Sequence, residues 1–237
     1  FYQKIFKGKE YDVSRAKLKM EWSWEVAFDV LPQLASGLIV TVEATFVGAF
    51  IAYLLGLVIA VLRMSRSKIV RVTVYWNAEF IRRTPLLVQL YFLFYVLPDL
   101  GIFLSPFAAG VFGLGLHFST YTSEVFRAGI DNVPKGQWEA AKSLNYNSYQ
   151  TWRNVILPQA IPPMVPPLAN YLITMFKETP LLAAITVVEL FRAADQYSNS
   201  HYKYLEPMTF VGVLFLLVSI PSAIAAMKLE KRFNKLR

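Results

Sequence analysis

The sequence predicts an all-α membrane protein crossing the bilayer with five helices, and three observations predict it. Of 237 residues, 55% are hydrophobic and only 17% are charged, well below the roughly 25% charge of soluble domains. Three long stretches, residues 38–62, 100–123 and 207–227, hold a single charge between them, Glu43. At about 1.5 Å per helical residue each is long enough for a hydrocarbon core of roughly 30 Å. Finally, the Lys and Arg residues gather at the ends of the apolar stretches, the pattern of membrane topology rather than of a nucleic-acid surface.

Two further spans complete the five. Residues 85–97 are too few to cross alone, so this span is expected to draw on the helical run before it. Residues 161–188 are long enough but contain Lys177 and Glu178. An odd number of spans places the termini on opposite sides. Arg63, Arg66, Lys68, Arg71, Arg82 and Arg83 follow the first span, and Arg127, Lys135, Lys142 and Arg153 follow the third. Lys228, Lys231, Arg232, Lys235 and Arg237 follow the fifth, whereas the connections at 98–106 and 189–206 carry only Arg192 and Lys203. The basic set is therefore expected in the cytoplasm, with the amino terminus outside and the carboxy terminus inside.

Residues 1–32 form a basic arm that this orientation leaves on the outer face, against the rule; residues 22–34, which begin in the arm, read as an interfacial amphipathic helix. No apolar core follows the first lysines, so no cleavable signal is expected. Residues 33–229 form one membrane domain, and 230–237 a basic tail.

Several function classes drop out. There is no cysteine, and the two histidines, His117 and His201, are far apart, so no metal site is expected. No G-x-S-x-G, H-E-x-x-H or G-x-x-x-x-G-K-[ST] occurs, so neither catalytic residues nor a P-loop are expected, and the chain is not read as an enzyme.

Between the third and fourth spans lies a polar run, EAAKSLNYNSYQTWRNVILP, residues 139–158. Asp131-Asn132-Val133-Pro134 starts a helix, with Pro134 at its first position. Glu139, Ala140, Ala141 and Lys142 are strong helix formers, and Trp138, Ala141 and Leu144 recur at spacings of three to form an apolar stripe. Asn145 suits a left-handed turn. Asn147 and Gln150 form a capping-box pair for a second helix, with Trp152, Val155 and Ile156 on its apolar face and Pro158 at its end. Physical reasoning leaves two roles open for this hairpin: a cover over the membrane helices, or a docking surface for a partner.

The run resembles the EAA motif of binding-protein-dependent ABC importer permeases, E-A-A-x3-G-x9-I-x-L-P, through Glu139-Ala140-Ala141, Asn145 and Val155-Ile156-Leu157-Pro158. Asn145 replaces Gly, and Val155 replaces Ile. Arg82-Arg83-Thr84-Pro85-Leu86-Leu87-Val88-Gln89, Glu124-x-x-Arg127 and Lys177-Glu178-Thr179-Pro180-Leu181 resemble segments of the polar amino acid branch of that family. In them Arg83 stands for Gly, and Pro180 for the usual Ser. The resemblance implies the type I importer permease fold, with Trp138, Glu139, Ala140, Ala141, Leu144 and Asn145 as the coupling helix that meets an ATPase. It implies two ATP-binding cassette subunits carrying ATP and Mg, a second permease (identical or paralogous), an extracytoplasmic solute-binding protein and the lipid of a bacterial cytoplasmic (inner) membrane. No cofactor is expected on this chain. The implied cargo is a polar amino acid or related zwitterion, with compatible solutes such as ectoine as one alternative and a stand-alone secondary transporter or channel as another.

Charges in a bilayer core cost several kcal/mol and need a reason. Glu43, Gln89, Lys177, Glu178 and Thr179 are therefore candidates for a translocation path. Glu178 or Glu43 would face an ammonium, and Lys177 a carboxylate. Helix–helix hydrogen bonding and snorkelling are the alternatives. Pro162, Pro163, Pro166 and Pro167 are expected to bend the start of the fourth span. Glu124, Arg127 and Asp131 share one helical face and are expected to form a charge network.

Overall fold

The computed structural model describes residues 22–234, so the lysine-rich part of the arm and the last three residues lie outside it. The described residues are helical almost throughout, with no strand among them. A short α1 (Trp24–Asp29) is capped by the Ser23 hydroxyl and turns at Val30 directly into α2 (Leu31–Arg63). Only the first part of the expected 22–34 helix is thus separate; the remainder belongs to the first long helix.

Two helices, α2 and α10 (Leu205–Asn234), have the length and apolarity to cross a membrane singly. Two bent pairs bring the number to four. The fifth, α5 (Pro106–Asp131), is long enough, but Gly, Ser and Thr dilute its apolarity because protein rather than lipid surrounds it: Gly110, Gly113, Ser119, Thr120, Thr122 and Ser123 are all buried. Small residues at such helix contacts allow close backbone approach in a membrane, where packing must replace the hydrophobic drive.

α2 and α5 run parallel. Gly48 meets Leu114, Gly56 meets Ser119 and Thr122, and Arg63 at the end of α2 pairs with Glu124. α8 (Leu157–Glu178) runs back along both: Met164 packs on Gly129, the Tyr53 hydroxyl donates to the Leu168 carbonyl at 2.8 Å, and Met175 touches Gly48. Leu90, Leu114, Met175, Leu182 and Ile185 form the central core. At the end opposite the basic residues, α9 (Leu190–His201) lies so close to α2 that a Cβ on Gly37 would sit 3.0 Å from the Leu190 Cα.

The second span departs from expectation. The run before residue 85 is indeed helical, as α3 (Lys68–Arg83), but it does not extend the crossing helix. α3 meets the Leu86–Leu100 segment at 101°. That segment comprises α4 (Leu86–Tyr91), a π turn (Phe92–Val96) and a 3-10 turn (Leu97–Leu100). The cause is local: Pro85 bars its predecessor from helical backbone, and Thr84 is extended at φ −93°, ψ 140°.

The prolines of α8 give a second correction. Pro158 does not end the hairpin's second helix, and Pro162, Pro163, Pro166 and Pro167 do not interrupt α8. α7 (Ser148–Thr151) passes through a π turn (Trp152–Ile156) into α8, so the widened turn immediately precedes Pro158. The break in this span falls later, at 47° between Ile185 and Leu190, after a 3-10 segment (Thr179–Ile185) that begins at Glu178-Thr179-Pro180.

Candidate functional site

Two features at and near the basic end carry the chemistry: a hairpin and a pair of clefts. In the hairpin, α6 (Lys135–Ser143) starts one residue later than expected, with Pro134 capping it in extended backbone. Its C-terminus is a Schellman motif. Asn145 has φ +56°, its N–H donates to the Lys142 carbonyl at 2.9 Å, and the Tyr146 N–H donates to the Ala141 carbonyl at 3.0 Å. Asn147 and Gln150 complete the capping box reciprocally, at 2.9 and 3.0 Å. A left-handed backbone costs a branched residue about 1–2 kcal/mol and glycine nothing. Asn145→Val is therefore expected to lower the melting temperature in detergent, and Asn145→Gly to leave it unchanged or raise it.

The expected apolar stripe of α6 divides. Trp138 stacks edge to face on Trp152 at 5.3 Å, and Ala141 is buried. Trp138 fastens α6 to the base formed by Ile130, Val133, Ile156 and Ala160. Leu144 follows the last helical residue and is 65% exposed, and Glu139 and Ala140 are exposed too. The hairpin thus holds a rigid helix away from the bundle with a small, polar and apolar outer surface.

Next to it, Glu124 ties three elements together. It accepts from Arg63 of α2, from Arg82 of α3 at 3.2 Å and from Arg127 of its own helix at 2.8 Å. Arg127 also reaches Asp131 at 3.2 Å, so the network expected along one face of α5 forms and extends to two other helices. Arg82 further donates to the Thr120 carbonyl and lies over the Tyr121 ring. No local pattern marks Arg63 and Arg82 as members of this network, because their partner lies 61 and 42 residues away.

A cleft of about 860 Å³ lies between α5 and α8 at this end, with Glu124, Arg127, Tyr171 and Glu230 in its wall. A second, of about 630 Å³, lies further along α8 and is lined by Arg82, Arg83, His117, Lys177 and Glu178 among others. Tyr121 lines both.

Of the five path candidates, the second cleft brings together Lys177 and Glu178. The other three lie elsewhere. Glu43 is exposed on α2, away from both clefts. Gln89 clamps the α3–α4 bend by donating to the Ile81 carbonyl at 2.7 Å and the Thr84 hydroxyl at 2.8 Å. Thr179 is buried and donates to the Phe176 carbonyl at 2.9 Å. The structure adds His117, Arg82, Arg83 and Tyr121, which no local motif marks as cleft residues. Glu79 already engages Arg82 and Arg83, at 2.8 and 2.9 Å.

This helical architecture is shared with known transporters. The sequence profile of the family described as binding-protein-dependent transport system inner membrane component matches residues 52–235. The chain belongs to that family. The permease is 44% identical over 215 residues to the probable amino-acid ABC transporter permease protein y4tG of Sinorhizobium fredii, covering 89% of this chain and 93% of that one. It is 33% identical over 210 residues to the probable glutamine ABC transporter permease protein GlnM of Bacillus subtilis, covering 89% and 97%. A crystal structure of an amino acid ABC transporter with histidines superposes with a TM-score of 0.82 at 35% identity, over 90% of this chain and 99% of the other. The fold is that of type I ABC importer permeases, and the permease is a multi-pass transport subunit rather than a catalytic one.

Proposed function

We propose that this permease forms half of the translocation path of an ATP-driven importer for polar amino acids. Its basic end lies in the cytoplasm and its amino terminus outside. Two ATPase subunits, which bind ATP and Mg, push on α6 through Glu139, Ala140 and Leu144, while Trp138, Ala141 and Asn145 keep that helix rigid. A second permease completes the path, and an extracytoplasmic binding protein delivers the solute. One observation carries the cargo assignment: a single cleft presents Lys177 and Glu178, opposite charges that suit the carboxylate and ammonium of a zwitterion.

A hydrogen bond to a charged group is worth about 1.5–3 kcal/mol, so Lys177→Ala is expected to lower sub-saturating uptake at least about tenfold while leaving the protein folded. The reading is tested in proteoliposomes holding the permease, its ATPase and its binding protein, given labelled glutamine, histidine, cystine or ectoine. ATP-dependent accumulation of an amino acid is the expected result. Uptake that persists without the ATPase supports a stand-alone carrier instead, and uptake of ectoine alone reassigns the cargo to compatible solutes.

A further inference from the structure

α3 has a face that the bundle leaves uncovered. Val70, Val74, Ala78 and Ile81 turn toward α2 and α5 and are wholly or partly buried. On the opposite side, at helical spacing, Ile69, Val72, Trp76 and Phe80 are 80%, 45%, 64% and 71% exposed. A soluble amphipathic helix buries one apolar stripe and wets the other side; this one is apolar on both.

Its placement explains the second stripe. α4 follows the bundle axis, since Leu90 packs on Gly113 while Arg82, at the end of α3, reaches back to Thr120 and Glu124. α3 meets that segment at 101°, so it runs across the axis. Its level is that of the end of α2, where Arg63 lies over the Tyr75 ring at 5.2 Å. A helix lying across the bundle axis at the boundary of the apolar region sits in the membrane interface, where Trp and Tyr side chains favour the headgroup level.

The charge on this segment is one-sided. Arg66, Lys68 and Arg71 are exposed at its start, and none of the three forms an ion pair among the described residues. The one carboxylate of α3, Glu79, is occupied by Arg82 and Arg83. Unpaired basic residues flanking an interfacial apolar stripe complement an anionic leaflet, with each Lys or Arg near such a surface worth about 1 kcal/mol.

We propose that α3 is an interfacial helix that binds the acidic phospholipids of the bilayer. Ile69, Trp76 and Phe80 enter the acyl boundary, and Arg66, Lys68 and Arg71 hold phosphate headgroups. This assignment is independent of which solute is carried. The test uses the purified full chain in nanodiscs of phosphatidylcholine, with or without phosphatidylglycerol. Bromine on the upper acyl carbons is expected to quench a fraction of tryptophan fluorescence that disappears in Trp76→Phe. The triple variant R66Q/K68Q/R71Q is expected to retain the fold and to lose at least about fivefold in affinity for phosphatidylglycerol, read by native mass spectrometry of retained lipid. Failure of brominated lipid to quench Trp76 overturns the proposal. So does equal lipid retention by the variant, or a disulfide between Trp76→Cys residues of two copies, which would mark the face as a contact between permeases.

Discussion

Gly56→Leu is expected to abolish accumulation of folded permease, and Gly56→Ala to cost about 1–3 kcal/mol. A Cβ at position 56 would lie 2.1 Å from the Thr122 hydroxyl, 3.0 Å from the Ser119 carbonyl oxygen and 3.1 Å from the Ser123 backbone nitrogen. Thr122 can rotate, but only by giving up its hydrogen bond to the Ala52 carbonyl at 2.9 Å. The two backbone atoms move only if α2 and α5 separate as rods. Because that pair is the spine to which α3, α4 and α8 attach, the strain reaches every core cluster along it. Melting in detergent, followed by size-exclusion recovery after heating, measures the Ala variant; membrane expression level measures the Leu variant. Wild-type stability for Gly56→Ala would mean the two helices are not in the close contact described.

The second large effect falls on the charge network. Glu124→Ala removes the acceptor shared by Arg63, Arg82 and Arg127, whose side chains are 12%, 21% and 39% exposed. Arg82 keeps Glu79 and Arg127 keeps Asp131, so Arg63 is the arginine that loses its ion-pair partner; a buried donor left so costs about 1–3 kcal/mol, more when charged. Because Glu124 is itself 31% exposed, solvent screening keeps the loss nearer that range than the larger penalties of fully enclosed pairs. The expected outcome is a clear fall in melting temperature, about half recovered by Glu124→Gln, which still accepts through its amide oxygen. A variant that also carries Arg63→Leu is expected to be more stable than Glu124→Ala alone, because one stranded charge has gone. An additive loss in the double variant would contradict the shared-acceptor geometry.

The two networks differ in how far the sequence reveals them. The hairpin was legible in detail, since Asn145, Asn147 and Gln150 act through bonds three to five residues long, which spacing reports directly. The long apolar helices were legible for the same reason, as composition along a line. The 101° turn before α4 had its signal in Pro85, yet whether a helix resumes straight or bent depends on the Gln89 clamp and on α5 behind it. Pro158 misled because its cost was weighed for an isolated helix, whereas a π turn immediately precedes it and the helix runs on. The clefts were legible only in part. Lys177 and Glu178 stood out as charges in apolar sequence, but His117 and Tyr121 reach the same space from a helix sixty residues away. Gln89 and Thr179, equally conspicuous in sequence, turned out to bond to backbone.

On the proposed function, α6 is the handle by which an ATPase moves this permease. Ala140→Glu places a long, charged side chain on the outer surface of α6, where Ala140 is exposed and its change leaves the Trp138–Trp152 anchor intact. The decisive measurement is ATP-driven amino acid uptake and ATP hydrolysis, recorded together, in proteoliposomes containing the assembled importer with wild-type or Ala140→Glu permease at equal melting temperature. The predicted result is a loss of uptake of at least about tenfold, the scale of 1.4 kcal/mol in coupling, with hydrolysis no longer stimulated by loaded binding protein. Undiminished uptake by the folded variant would contradict it.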